Sequence, residues 1–166
     1  MKTIKYIQSG ITVLLTGLIA ILLIVFFIPQ CLGYQAYNIR TASMTPKYPV
    51  GGMIYVKPVK FDDLKVGDVI TYNASGGSGW IVTHRISQID TNSGTIVTKG
   101  DANNTEDGSI TYSAVIGKAT DFCIPFLGEV VTKYQRDNGK LYTIIGIIIL
   151  LGLSFILDIV AKKIED

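Results

Sequence analysis

Three kinds of side chain in this sequence could carry out chemistry together, namely one hydroxyl, one imidazole and a small group of carboxylates. The hydroxyl is Ser43, in the stretch RTASMTPKYPVGG, and the imidazole is His84, the one histidine of the chain. Carboxylates follow in the stretch KGDANNTEDG, at Asp101, Glu106 and Asp107. If three such groups converge, the imidazole accepts the hydroxyl proton and a carboxylate fixes the imidazole tautomer, as in serine hydrolases. Chain order alone does not establish that convergence.

Each of these residues also has a plain structural interpretation when it is considered alone. Ser43 lies in a loop-like stretch where serines are common, and the acids of KGDANNTEDG fit a solvated turn. The alternating segment IVTHRIS predicts that His84 shares one strand face with Val82 and Ile86. A half-buried histidine bonded to a backbone carbonyl fits the same pattern. The residue types by themselves leave both interpretations open.

The composition argues against several other classes of chemistry. One histidine, with cysteines and carboxylates that lack ligand-like spacing, predicts no metal site. The glycines lie in turn-like stretches, and none forms a phosphate-cradling motif that leads into a helix. The net charge of +2 comes without a clustered basic stripe, which argues against nucleic-acid binding. We therefore expect no metal, no cofactor and no nucleic-acid partner.

The elements that must position these residues begin with two long apolar runs near the ends of the chain. Residues 11–28 read ITVLLTGLIAILLIVFFI without a charge, which is about the length needed to cross a hydrocarbon core as a helix. A second run at residues 141–157, LYTIIGIIILLGLSFIL, predicts a second span. A cleaved secretory signal is the alternative for the first run. That run exceeds the usual apolar region of such signals, and PQCLG is a poor cleavage site, so we predict a retained anchor.

Basic residues at both ends predict the topology of the chain in the cell membrane. Lys2 and Lys5 precede the first run, and Lys162 and Lys163 follow the second. The positive-inside rule then places both termini in the cytoplasm and the intervening segment outside. The predicted organisation has three parts. Residues 1–30 form a cytoplasmic start and a membrane anchor, and residues 31–139 form an extracytoplasmic β-rich domain. Residues 140–166 form a C-terminal membrane helix with a short cytoplasmic tail.

Between the apolar runs, short strand-like segments alternate with turn sequences. The segments rich in Val, Ile, Thr and aromatic residues are MIYVKPV, DVITY, WIVTHRISQID, GTIVTKG and SAVIGKATDF. Turn chemistry separates them at Asp62-Asp63, NASGGSG, NSG and NNTEDG, and SGGSG is typical of a flexible hairpin tip. The predicted fold class is therefore mainly β, a small antiparallel β domain between two transmembrane helices.

Four short stretches, in order, make the chain resemble the type I signal peptidases. ASMTP resembles the serine box of that family, LKVGDVITY its next strand box, THRI the box of the general base, and KGDANNTED its box with glycine, aspartate and asparagine. Bacterial and mitochondrial members resemble this layout but carry lysine as the base. His84 therefore points to the endoplasmic-reticulum-type branch, which is also found in archaea and some Gram-positive bacteria. Thr41 and Ala42 depart from the family pattern, which often has glycine directly before the serine.

The resemblance implies a membrane-bound serine endopeptidase that removes N-terminal signal peptides from exported preproteins by cleaving after a small residue. It implies Ser43 as the nucleophile and His84 as the general base. Asp107 is the preferred residue for orienting His84, and Asp101 is the next candidate. The implied partners are signal peptides and the lipid bilayer, and contact with the secretion translocon is a further partner that such a location allows.

The resemblance also implies how the substrate is held. Thr41 is implied as an oxyanion donor together with the backbone N–H of Ser43, and Met44 as the lining of a shallow pocket for Ala-like side chains. The structural alternatives are a buried methionine at Met44 and a turn-forming proline at Pro46. An extended substrate would add as a strand beside an exposed sheet edge.

Two other functions are compatible with the sequence. One is a peptidase dedicated to a single client, such as a pilin or a matrix protein, which the sequence does not separate from a general one. The other is a non-catalytic, membrane-tethered β module that binds exported partners. Such a module has no need for Ser43, His84 and both aspartates at once.

Overall fold

The computed structural model describes residues 2–74, 79–136 and 139–165. Residues 30–133 form one compact unit, and the helical segments that precede and follow it are grouped in a second. The compact unit contains every candidate site residue, so the site can be described within this unit.

One antiparallel sheet forms the compact unit, and the described residues give it seven strands. In chain order the strands are β1 (Gln35–Asn38), β2 (Met53–Lys57), β3 (Val69–Asn73), β4 (Ile81–Asp90), β5 (Thr95–Lys99), β6 (Ile110–Thr111) and β7 (Val115–Ile124). Their order across the sheet is β1-β2-β7-β3-β4-β5-β6, and all neighbouring pairs are antiparallel. The prediction of a mainly antiparallel β domain is confirmed.

The five predicted strand segments correspond to β2, β3, β4, β5 and β7. The prediction missed β1 and β6, which have four and two residues, because alternation over so few positions gives no usable signal. The predicted hairpin tip SGGSG lies mostly outside the described residues, which omit 75–78.

Two clusters of buried apolar side chains fix the sheet beneath the candidate residues. The first consists of Ile39, Met44, Tyr48, Ile54, Val56, Val69 and Ala119. The second consists of Leu64, Ile70, Tyr72, Ile86 and Ile96. Each large side chain buried in this way contributes about 1.5–3 kcal/mol to the free energy of unfolding. Because Met44 adjoins Ser43 and Ile86 follows His84 by two positions, the core fixes the backbone at both residues.

A long apolar helical run precedes the sheet. Helix α1 (Lys2–Leu22), a π-helical stretch (Leu23–Phe27) and helix α2 (Ile28–Cys31) follow one another without a break. Within this run, Ser9–Cys31 is long and apolar enough to cross a membrane, at 23 residues. A secretory signal near an N-terminus has the same character, so the helix supports membrane association, and its retention as an anchor stays a prediction.

Two helices follow the sheet, α3 (Gly128–Arg136) and α4 (Gly139–Glu165). In the part of α4 whose side chains are described, the apolar stretch is Ile144–Leu153, which is shorter than a membrane span. The second transmembrane span, and with it the two-span topology, therefore stays a prediction.

Candidate active site

Ser43 lies in a short 3-10 turn, Ala42–Met44, between β1 and β2. The Thr45 hydroxyl closes this turn by donating to the carbonyl oxygen of Ala42 at 2.7 Å. Met44 directly follows the serine and is only 1% exposed, since its side chain packs in the first core cluster. A closed turn and a buried neighbour thus fix the backbone that carries the Ser43 hydroxyl.

A second turn, which follows β5, holds the Ser43 backbone from another direction. The backbone N–H of Ala102 donates to the carbonyl oxygen of Ser43 at 2.8 Å. Gly100 passes so close that a Cβ at this position would lie 2.8 Å from the same carbonyl oxygen. Only glycine allows this approach without a shift of the backbone. The turn that carries the candidate acids is therefore tied directly to the serine.

His84 lies on β4, where its side chain contacts both the candidate nucleophile and a candidate acid. The residue is 8% exposed, and Ile86, on the same strand face, is 1% exposed, as the alternation predicts. His84 Nε2 lies 3.0 Å from Ser43 Oγ, and His84 Nδ1 lies 2.5 Å from Asp107 Oδ2. An ionised carboxylate only accepts hydrogen bonds, so Nδ1 carries the proton and Nε2 is free to accept the proton of the Ser43 hydroxyl.

Asp107 is held by Thr98 of β5 and Tyr72 of β3. The backbone N–H of Asp107 donates to the carbonyl oxygen of Thr98 at 2.8 Å, and the Thr98 hydroxyl donates to Asp107 Oδ2 at 2.6 Å. The Tyr72 hydroxyl also lies 3.3 Å from Asp107 Oδ2. Burial raises the pKa of Tyr72, its hydrogen bond with Thr98 opposes the rise, and the charge of Asp107 adds to it. Tyr72 therefore keeps its proton and acts as a donor.

Thr98 and Tyr72 were not among the site residues predicted from the sequence. The sequence did contain a signal for Thr98, which is a polar residue at a position predicted to face the core. Thr98 follows Ile96 by two positions, and this spacing places both side chains on one face of the strand. Thr98 is 0% exposed and Tyr72 is 3% exposed. A buried hydroxyl needs a hydrogen-bond partner, and that requirement points to a polar group beyond the strand.

Asp101 pairs with Arg85 rather than with His84. Arg85 Nε donates to Asp101 Oδ1 at 2.8 Å, and Nη2 donates to Oδ2 at 2.6 Å. Nη1 donates in addition to the carbonyl oxygen of Gly67 at 2.7 Å. The hydrogen bond to Asp101 is the main cause of a raised pKa of Arg85, so the guanidinium keeps its charge. Of the two candidate acids, the structure brings Asp107 to the imidazole and Asp101 to a guanidinium.

The two residues predicted to bind substrate have different surroundings. Thr41 is exposed, and its Oγ1 lies 3.1 Å from Ser43 Oγ, so it can reach a molecule bound at the serine. Met44 is buried in the core, which favours its structural interpretation as a buried methionine. Direct contact between Met44 and a substrate would require the core beside Ser43 to open.

The arrangement has the donors and acceptors of a serine nucleophile activated by a histidine. The Ser43 hydroxyl can donate to His84, and Asp107 can stabilise the imidazolium that forms when His84 takes the proton. Within the described ranges, no group of three or more His, Cys, Asp or Glu side chains could hold a metal ion. A serine, a histidine and a carboxylate in this arrangement can carry out acyl transfer.

Comparison with curated proteins finds a similarity to a signal peptidase. The chain is 32% identical over 101 residues to Signal peptidase I W of Bacillus subtilis (strain 168), a match that covers 58% of this chain and 52% of that protein. The chain thus spans about half the length of the curated relative that it matches. No model of a known protein family matches the chain. The similarity supports a relationship to signal peptidase I and does not separate the branches of that family.

Proposed function

We propose that this protein is a membrane-bound serine endopeptidase that removes N-terminal signal peptides from exported preproteins. The hydrogen-bonded series of Ser43, His84 and Asp107 carries the proposal, with 3.0 Å from Oγ to Nε2 and 2.5 Å from Nδ1 to Oδ2. The similarity to Signal peptidase I W supports the substrate class. A histidine at the position of the general base favours the endoplasmic-reticulum-type branch.

In the proposed reaction, Ser43 Oγ attacks the carbonyl carbon of the small substrate residue that precedes the scissile bond. His84 Nε2 takes the hydroxyl proton as the new C–O bond forms, and the Asp107 carboxylate stabilises the resulting imidazolium. The scissile C–N bond then breaks, and His84 gives its proton to the leaving amine. Water, deprotonated by His84, finally hydrolyses the ester, and Ser43 recovers its proton.

The carbonyl oxygen of the substrate becomes negative in this reaction and needs hydrogen-bond donors. The backbone N–H of Ser43 and the Thr41 hydroxyl are the proposed donors, and Thr41 Oγ1 lies 3.1 Å from the Ser43 hydroxyl. One donor of this kind stabilises the transition state of acyl transfer by roughly 3 kcal/mol. Thr41 would therefore contribute to catalysis as well as to binding.

The apolar helix Ser9–Cys31 gives a physical reason for placing this chemistry directly after a membrane segment. The apolar part of a signal peptide stays in the bilayer, and its scissile bond lies just beyond. An enzyme anchored in the same bilayer searches along a surface instead of through a volume, which raises its effective concentration. Retention of this helix as an anchor is part of the proposal.

Cleavage of a preprotein by purified protein in detergent tests the proposal. We expect the wild type to release the signal peptide and Ser43→Ala to release none, because the variant lacks the nucleophile. Ser87→Ala is the matched control, since the Ser87 hydroxyl donates to the carbonyl oxygen of Val97 at 3.1 Å instead of contacting His84. Undiminished cleavage by Ser43→Ala would refute the peptidase function. Preprotein binding without cleavage by the wild type would support a binding module.

The proposed topology makes a separate prediction about the compact unit. A protease added outside sealed cells is expected to digest the segment from about 35 to 135 and to leave both termini protected, because the basic flanks stay in the cytoplasm. Epitope tags at each terminus report protection, and permeabilised cells, in which the tags should become accessible, serve as the control. Labelling, from the cytoplasmic side, of a cysteine introduced into the SGGSG stretch would contradict this orientation.

A further inference from the structure

A single oxygen of Asp107 contacts three side chains from three different strands. Asp107 Oδ2 lies 2.5 Å from His84 Nδ1, 2.6 Å from the Thr98 hydroxyl and 3.3 Å from the Tyr72 hydroxyl. These partners come from β4, β5 and β3 respectively. The contact that holds the imidazole is therefore built from three neighbouring strands and one turn residue.

The hydroxyls of Thr98 and Tyr72 are more deeply buried than the Asp107 carboxylate, and this difference indicates which groups hold the other. Thr98 is 0% exposed and Tyr72 is 3% exposed, so their hydroxyls are fixed inside the sheet packing. The Asp107 side chain is 25% exposed and lies in the connection between β5 and β6. A carboxylate with this much access to water can rotate away from the imidazole unless other donors hold it. The fixed hydroxyls are such donors.

The hydrogen atoms can be assigned because an ionised carboxylate only accepts. Thr98 has one hydroxyl proton, and the 2.6 Å contact with Asp107 Oδ2 uses it. The Tyr72 hydroxyl lies 3.0 Å from Thr98 Oγ1 and then donates to that oxygen or to Asp107. The contact with Thr98 is the shorter of the two. Hydrogen bonds in such a series polarise one another, so a Tyr72 hydroxyl that donates to Thr98 strengthens the contact between Thr98 and Asp107.

Thr98 also holds the backbone of the residue that its side chain contacts. The backbone N–H of Asp107 donates to the carbonyl oxygen of Thr98 at 2.8 Å. Both the main chain and the carboxylate of Asp107 are thus attached to one residue of the rigid sheet. This double attachment sets the direction in which Asp107 Oδ2 points.

We propose that Thr98 and Tyr72 are positioning residues, whose buried hydroxyls hold Asp107 Oδ2 against His84 Nδ1 and so keep the imidazole in the tautomer that accepts the Ser43 proton. The catalytic consequence rests on the proposed function, whereas the effect on the His84 tautomer does not. Neither hydroxyl touches the substrate or the reacting atoms. Their removal should therefore lower the rate of the chemical step and leave substrate binding unchanged.

The chain offers a direct measurement, because His84 is its one histidine. Protein labelled with ¹⁵N-histidine in detergent gives nitrogen shifts that report which ring nitrogen carries the proton, and a low-field proton signal that reports the Nδ1–H bond to Asp107. We expect the wild type to show the Nδ1–H tautomer with this low-field signal. Thr98→Val should give a mixture of tautomers and lose the signal, and Tyr72→Phe should weaken the signal.

Preprotein cleavage supplies the second measurement on the same samples. Thr98→Val is expected to lower kcat roughly ten- to a hundredfold, the effect of losing one hydrogen bond to a charged group, with KM changed less than about twofold. Thr98→Ser keeps the hydroxyl and should retain most of the rate. Tyr72→Phe keeps the ring in the core and should lose less than Thr98→Val. In the double variant, Tyr72→Phe should lower kcat little further than Thr98→Val does alone, because Tyr72 acts through Thr98.

Thr71→Val is the matched control, because it also removes a buried threonine hydroxyl from the sheet. Thr71 is 0% exposed, and its hydroxyl contacts that of Thr83 at 2.8 Å. We expect Thr71→Val to lower thermal stability about as much as Thr98→Val does and to leave both the His84 signals and kcat unchanged. A purely structural role of Thr98 would make the two variants alike in every measurement.

The outcomes separate the positioning role from the proposed function. Wild-type His84 signals in Thr98→Val and Tyr72→Phe would overturn the positioning role, whatever the cleavage assay shows. Thr98→Ala replaces Thr98→Val if the latter does not fold, and a normal rate of cleavage in Thr98→Ala then overturns the role of Thr98. Unchanged His84 signals and an unchanged kcat in Tyr72→Phe overturn the role of Tyr72. Altered His84 signals in a protein whose wild type cleaves no preprotein would support the positioning role and refute the peptidase function.

Discussion

Ser43→Ala, His84→Ala and the variant that carries both substitutions are expected to lose nearly the same fraction of preprotein cleavage. The physical reason is that the hydroxyl and the imidazole share one step, since Ser43 Oγ lies 3.0 Å from His84 Nε2. Removing either partner already stops the proton transfer, so removing the second costs little more. In serine proteases such losses are on the order of 10⁶-fold in kcat and are strongly non-additive.

A double-mutant cycle in kcat/KM measures this coupling. The coupled pair predicts that the loss in the double variant equals the loss in either single variant, within about tenfold. Ser87→Ala combined with His84→Ala is the control, because Ser87 bonds to Val97 and should act independently of the imidazole. Losses of Ser43→Ala and His84→Ala that multiply in the double variant would show that the two side chains act in separate steps.

The second large effect is expected at Asp107. Asp107→Asn removes the charge that stabilises the His84 imidazolium, and the amide can donate to Nδ1 and so select the tautomer with its proton on Nε2. That tautomer cannot accept the proton of Ser43. In a serine protease the corresponding substitution costs about 10⁴-fold in kcat. We expect a loss of that order here, with the fold and preprotein binding retained.

Asp101→Asn is expected to act mainly on stability, because Asp101 makes a bidentate ion pair with Arg85. A partly exposed ion pair contributes about 1 kcal/mol to the free energy of unfolding, which corresponds to roughly 4 °C in Tm for a domain of this size. Cleavage should fall less than about tenfold, through slight displacement of the turn that bonds to the Ser43 carbonyl.

Thermal unfolding and cleavage measured on both aspartate variants decide between these roles. Asp62 is exposed in the short turn Phe61–Asp63. Asp62→Asn is therefore the matched control for loss of one negative charge and should change neither quantity. A greater loss of kcat at Asp101 than at Asp107 would reverse the assignment of the acid that orients His84.

The strand pattern of the domain could be predicted from the sequence because its longer strands carry clear alternation. β4 has ten residues and places His84 and Ile86 on one buried face, and Arg85, which is more exposed, on the other. This period of two is a local property and needs no knowledge of the partners. The order β1-β2-β7-β3-β4-β5-β6 depends instead on contacts between distant segments, and the sequence pattern did not predict it.

The sequence by itself determined which side chains could carry out chemistry together, and only the tertiary structure shows which acid lies against the imidazole. One hydroxyl, one imidazole and two nearby aspartates were evident as residue types, and the family resemblance allowed a role for both Asp101 and Asp107, with Asp107 preferred. The choice depends on the register of β4 with β5, which pairs Ile86 with Thr98 and Arg85 with Lys99. That register places the Thr98 hydroxyl on the face of His84, where it holds Asp107, while Asp101 pairs with Arg85. Register is set by packing and hydrogen bonding across the whole sheet, so no local pattern within the turn could reveal it.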